Sequence, residues 1–240
     1  MMKSKKQKLI IGLFLSILFV PACRDAIIPS ETDLVDYGWV LYEEADYVGA
    51  NQWFKDGFEN DSSYMDAYNG LGWSFGKLGL ADSAIIYFEL GKDLTWDDTK
   101  TPDLDMQFYA GLTFANSAVV NDTLARSYGE QFFGAQNLVD QEPWAFAHNS
   151  LTNHLDVRLT LATTYFSLSR LDLCITEVRQ IHSDLSMTKT FEPDLNTVQG
   201  RDELVKELEI LQVLCVTLHL LALQLCLLAQ GRMDVNGALL

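Results

Sequence analysis

Small and aromatic positions between residues 34 and 92 fall at the spacing of paired helices. Leu34, Gly38 and Leu41 recur at four- and three-residue steps, and so do Ala50, Phe54 and Gly57. These steps keep side chains on one face of a helix. The set then returns at a constant offset of 34 residues, which pairs Gly38 with Gly72, Trp39 with Trp73, Ala50 with Ala84, Phe54 with Phe88 and Gly57 with Gly91. Small matches small and aromatic matches aromatic. A period of about 34 residues is the length of a helix–turn–helix unit that buries its apolar face only by stacking on the next unit. The pattern predicts an all-α stack of helical hairpins, with Gly79 supplying the turn inside the second unit. Such solenoids offer extended surfaces rather than enclosed catalytic pockets, so a binding scaffold is the first expectation.

The second unit shows the packing code most fully. Tyr68, Leu71, Gly72 and Phe75 occupy one helix, and Ala84, Phe88 and Gly91 the next. This arrangement resembles the tetratricopeptide repeat, in which small residues let paired helices approach and large ones fill the gaps between them. The first unit matches through Leu34, Gly38, Leu41, Ala50, Phe54 and Gly57, with Tyr37 where the family places Leu. A later unit matches through Leu161, Ala162, Tyr165, Cys174, Val178 and Ile181. Between them Pro102-Asp103 starts a helix that carries Gly111 and Phe114, and its partner begins about two residues late at Ala125. A further helix is expected to be wedged in around Trp144 to His148. Ser62 and Trp96 stand where the family closes a repeat with Pro. The repeats are thus expected at 34–67, 68–101, a degenerate 102–150, and 151–182. A linker and capping helix follow at 183–209, the cap being the charged stretch Arg201 to Glu209. From Ile210 to Gln230 no Asp, Glu, Lys or Arg occurs. The segment 210–240 reads as a buried terminal helix, a membrane or interfacial helix, or a non-native tail, and the sequence leaves the three open.

The resemblance also implies a concave groove lined by the first helix of each hairpin. It places Trp39 and Trp73 at equivalent groove positions, with Tyr42, Glu43, Asn69 and Lys77 on the same face. A tryptophan open to solvent is costly unless it meets a ligand, and the residue is enriched at binding hot spots. The competing account has both indoles leaning onto neighbouring helices as core filler. Glu43 would suit a basic peptide.

The two chain ends add a location. Lys3, Lys5, Lys6 and Lys8 precede an apolar run from Leu9 to Val20. A basic head and a run of about 7–15 apolar residues make a secretory signal, too short for a comfortable span. It ends in Val20-Pro21-Ala22-Cys23, which resembles the lipobox of bacterial lipoproteins. That resemblance implies removal of residues 1–22, a diacylglycerol on the Cys23 sulfur, and attachment of further acyl groups such as palmitate. Arg24 follows, with Asp25 one place later, which under the family's sorting rule leans toward the outer membrane, facing the periplasm or the surface. Residues 23–33 form a tether, of which the nine from Arg24 to Thr32 reach about 30 Å when extended.

Charge narrows the partners. The formal charge is −16, and loss of residues 1–22, with four lysines and no acids, makes it −20. So acidic a surface repels nucleic acid and anionic headgroups. Four cysteines without metal or redox spacing argue against a disulfide framework, leaving Cys174, Cys215 and Cys226 as buried thiols. Gly72-Trp73-Ser74-Phe75-Gly76 has the letters of a nucleophile elbow, but that motif needs a strand before it, and Ser74 sits where a repeat takes a small residue. His148, His154, His182 and His219 lack metal-ligand spacing, and no phosphate-binding loop occurs, so no cofactor or metal is expected. The expected function is a non-catalytic, membrane-anchored scaffold for a protein or peptide of the cell envelope. The alternative is a solute- or glycan-binding lipoprotein of an uptake system, in which the tryptophans would stack on sugars.

Overall fold

The computed structural model describes residues 28–94, 103–139 and 143–229, with side chains for 28–94, 103–135 and 143–215. The signal segment, Cys23, Pro102 and residues 230–240 lie outside this set, and Cys226 lies outside the residues whose side chains are described. Among the described residues, eight helices form four antiparallel hairpins: α1 (Glu31–Glu43) with α2 (Tyr47–Asn60), α3 (Met65–Lys77) with α4 (Ala81–Lys92), α5 (Leu104–Ala118) with α6 (Asp122–Val139), and α7 (His154–Ser167) with α8 (Leu171–Asp184). A further helix, α9 (Val198–Ala229), closes the stack. The hairpins pack in chain order, and the first helix of each also meets the first helix of the next. The arrangement is the stack of helical hairpins expected from the sequence.

Local chemistry sets the ends of these helices. Ser30 caps α1 in a capping box, its hydroxyl accepting from the Asp33 N–H while the Asp33 carboxylate accepts from the Ser30 N–H at 2.9 Å. Asn153 and Asp156 make the same box at α7. Each hairpin turns through one left-handed residue: Ala45, Gly79, Val120 and Ser169, with φ of 64°, 74°, 59° and 58°. Behind each, an N–H reaches back five residues to a carbonyl, as Leu80 does to Phe75 at 2.9 Å and Asn121 to Asn116 at 2.8 Å. These bonds satisfy helix-end carbonyls that would otherwise lack partners. Only Gly79 announces its turn in the sequence.

The repeat is enforced by phenylalanines set between glycines. Phe54 of α2 lies between Gly38 of α1 and Gly70 of α3, so close that a Cβ on either glycine would stand 2.6 or 2.4 Å from its ring. Phe88 of α4 lies the same way between Gly72 of α3 and Gly111 of α5, at 2.4 and 2.3 Å. Each ring thus joins its own hairpin to the next. Seven extra residues between α4 and α5 account for the step from Gly70 to Gly111 being 41 rather than 34. The core beyond is continued by α7, α8 and α9, where Leu161, Cys174, Val178, Ile181, Leu204 and Leu211 are buried. Cys174 and Cys215 are free thiols whose pKa burial pushes up, to about 12 and about 11.

One expectation needs correction. Residues around Trp144 to His148 form no helix. They belong to a β-hairpin of β1 (Ala145–Phe146) and β2 (Asn149–Asn153), antiparallel about the turn Ala147-His148. Trp144, Phe146 and His148 alternate with two alanines, a period of two that one strand face satisfies and a helix does not. The charged stretch Arg201 to Glu209 is helical, as expected. It is the opening part of the continuous 32-residue α9, whose Leu204, Leu208, Leu211 and Cys215 are buried.

Glycine placement and turn geometry each yield a stability prediction. Gly72→Ala forces the Phe88 ring out of its slot and should cost about 1–3 kcal/mol or more in urea unfolding; an unchanged midpoint would show that the slot is not tight. Val120 is 77% exposed and β-branched at a left-handed φ. Val120→Gly should therefore gain on the order of 1 kcal/mol, and a loss of stability would contradict the strain assigned to that turn.

Candidate functional site

The groove is built by α1 and α3 and is tied to the glycine slots beneath it. Trp39 packs edge-on against Phe54 with centroids 4.7 Å apart, and Trp73 packs edge-on against Phe88 at 5.8 Å. The same offset that repeats the slot therefore repeats an indole above it. The expectation that these indoles stand open to solvent is corrected: Trp39 is 4% and Trp73 6% exposed. What covers them is the β-hairpin. Phe146, 1% exposed, stacks on Trp73 at 4.2 Å and 20° and meets Trp39 and Tyr42 edge-on at 5.9 and 6.0 Å. His148 stacks flat on Trp39 at 3.8 Å and 2°, and its Nδ1 lies 2.9 Å from Glu43 Oε1. Trp39, Tyr42 and Trp73 come together around Phe146, which lies more than a hundred positions beyond α1 in the chain.

Below the rings runs a polar chain across three hairpins. The Trp39 indole N–H donates to Asp66 Oδ2 at 2.8 Å, and Asn69 Nδ2 donates to Asp66 Oδ1 at 3.1 Å and to Gln107 Oε1 at 2.7 Å. Gln107 Nε2 donates to Asp103 at 3.1 Å. Asn69 is fully buried and positions the helices instead of facing a partner. Burial raises the pKa of Asp66, opposed by the Trp39 and Asn69 hydrogen bonds and by nearby His148. Burial also raises that of Tyr42, whose buried hydroxyl has no hydrogen-bond partner.

Lys77 and Glu43 sit at opposite ends of this face and stay exposed. Beside Lys77 the hairpin leaves an open cleft of about 360 Å³, walled by Gly72, Trp73, Gly76 and Phe114 on one side and by Thr152 and Asp156 on the other. Desolvation lowers the Lys77 pKa, with the Asp156 carboxylate acting against it. The indole N–H of Trp73 has no acceptor among the described residues. Ser74 is fully buried in the middle of α3, where it accepts from Asn51 Nδ2 and donates to the Leu71 carbonyl. The nucleophile-elbow geometry is absent there, and each letter of the string has a packing role.

Phe146, His148, Asp66 and Gln107 are the site residues that sequence reasoning missed. The alternation Trp144-Ala145-Phe146-Ala147-His148 was the available signal for the first two. For Asp66 and Gln107 there was none, since their partners are set by the stacking of hairpins.

No protein-family model and no curated protein matches the chain. Among solved structures it is similar to YrrB, described as a TPR protein with an unusual peptide-binding site, at 15% identity and a TM-score of 0.49, over 66% of this chain and 68% of that one. It is similar also to pilF of Pseudomonas aeruginosa, at 17% identity and a TM-score of 0.48, over 66% of this chain and 63% of that one. A third is a thermophilic TPR protein of Thermus thermophilus, at 18% identity and a TM-score of 0.36, over 75% of this chain and 99% of that one.

Asp66 yields a pH prediction. Its folded-state pKa lies above the ordinary 3.8, so the folded state holds its proton more tightly than the unfolded state. That contribution is complete below 3.8 and is lost as pH rises through the folded value. Relative to Asp66→Asn, the wild type should lose unfolding free energy as pH rises from about 3 toward neutrality. A difference that is flat or grows with pH would contradict the burial assigned to this carboxyl.

Proposed function

We propose that the chain is a non-catalytic scaffold, held to the bacterial cell envelope by a lipid on Cys23, whose concave groove receives a segment of a protein partner. The observation that carries this reading is that the groove already accommodates polypeptide. Phe146 enters a pocket walled by Trp39, Tyr42 and Trp73, the aromatic composition that dominates binding energy at protein interfaces. The Glu43 carboxylate at the rim suits a basic side chain.

Support for the anchor comes from the four lysines, the apolar run and Val20-Pro21-Ala22-Cys23. A short tether would then hold a domain of charge −20 near the bilayer yet repelled by anionic headgroups. Outer-membrane placement, facing the periplasm or the surface, is part of the same proposal. The glycan-binding alternative needs an aromatic platform. His148 stacks over Trp39 and Phe146 over Trp73, which favours a protein ligand instead.

The test is photo-crosslinking in intact cells. A benzophenone amino acid at Gly76, where an added side chain meets open space, reports on the groove. The same residue at the exposed Glu59 of α2 reports on the outer surface. The expected result is a discrete protein adduct from position 76 that is missing from position 59, and that disappears when Cys23→Ala releases the chain from the membrane fraction. Equal adducts from both positions, or none from position 76, would contradict the reading.

A further inference from the structure

We infer that the groove selects a β-turn carrying an aromatic residue followed two positions later by histidine or another cationic side chain, and that the chain's own hairpin is a resident competitor for that site. This rests on the reading that the groove takes a protein segment.

The resident hairpin displays the selection. Its two strands pair only with each other, and its ties to α1 and α3 are made by side chains. What the groove recognises is therefore side-chain chemistry at set positions. Phe146 supplies one element. It is held on one face by the Trp73 ring and at its edges by Trp39 and Tyr42, an enclosure made of aromatic rings. An aliphatic side chain would fill the space but lose the stacked and edge-on ring contacts.

His148 supplies the second element. Its flat stack on Trp39 and its 2.9 Å approach to Glu43 place a cation-accepting position one turn-width from the aromatic pocket. Asp66 holds the far side of the same indole through its N–H, and its carboxylate also senses His148. Two carboxylates and an indole face together favour imidazolium, guanidinium or ammonium over a neutral side chain. Ala145 and Ala147, on either side of Phe146, are exposed and make no demand on sequence.

Any partner turn with the same two side chains reproduces the ties the hairpin makes to α1 and α3, but it must displace a tethered rival that Trp144, packed edge-on against Phe132 at 5.2 Å, also holds in place. Intramolecular occupancy acts like a local concentration in the millimolar range, so the closed state weakens binding in trans. Weakening the hairpin's hold should strengthen partner binding.

The probe is a fluorescein-labelled peptide of residues 143–153, closed into a ring by added terminal cysteines, titrated by anisotropy into the full chain. Phe146→Ala should bind it at least about tenfold more tightly than wild type, and His148→Ala about threefold more tightly. Ring peptides with alanine in place of the phenylalanine or the histidine should bind Phe146→Ala about tenfold more weakly than the parent ring. If Phe146→Ala loses its helical signal, His148→Ala, which alters only a half-buried rim residue, carries the comparison. The inference is overturned if folded variants bind no better than wild type, if the ring lacking phenylalanine binds as well as the parent, or if both variants unfold. Failure here while the Gly76 adduct still forms would leave the scaffold reading intact. Binding of the ring without any envelope adduct would remove the scaffold reading and leave the selectivity.

Discussion

The first three hairpins of this molecule hang on a phenylalanine ring set between two glycines. A helix pair carrying side chains at the contact packs at about 8–10 Å, and glycine on one side allows closer approach. Phe54 and Phe88 take up the room that Gly38, Gly70, Gly72 and Gly111 leave free. Each ring touches the hairpin it belongs to and the hairpin after it, so one interaction fixes both the fold of a unit and the angle to its neighbour. The slot is also why the chain repeats at all: the phenylalanine and the glycine of its own hairpin recur together, or the ring has nowhere to go.

The groove inherits its geometry from those slots. Trp39 rests on Phe54 and Trp73 on Phe88, so two indoles arise as equivalent walls one repeat apart. Phe146 fits between them because the spacing of the walls is the spacing of the repeats. The hairpin that delivers it interrupts an otherwise helical chain between α6 and α7, and it reaches back to the first hairpin. A segment inserted between the third and fourth hairpins thereby occupies the face built by the first two. The polar chain from Trp39 through Asp66, Asn69 and Gln107 to Asp103 lies under this face and couples its wall to three hairpins. What stays open is the cleft at Lys77, where β2 and the start of α7 form the opposing wall.

The parts legible in the sequence are those with a period. The 34-residue offset carries the hairpins, the small and large positions and the equivalence of Trp39 and Trp73, because these recur with the helix pair. The parts that are not legible depend on contacts between segments far apart in the chain. Nothing near Trp39 states that His148, 109 residues later, will lie flat against it. Trp144 to His148 reads as a helix from its surroundings although its own alternation is that of a strand, since the helical pattern on both sides outweighs five residues. Turns are legible only at Gly79, because Ala45, Val120 and Ser169 adopt the same left-handed conformation without the residue that normally signals it.

The central claim is that the hairpin is a guest of the groove and not part of the slot-built core. Native-state hydrogen exchange of the folded chain, resolved to residues 145–153 on one side and to α3 on the other, tests it most directly. The account predicts that the hairpin amides exchange through a local opening whose free energy lies well below that of the α3 amides around Gly70 and Gly72. Exchange of both groups through a single opening of equal free energy would make the hairpin an integral layer of the fold and contradict the claim.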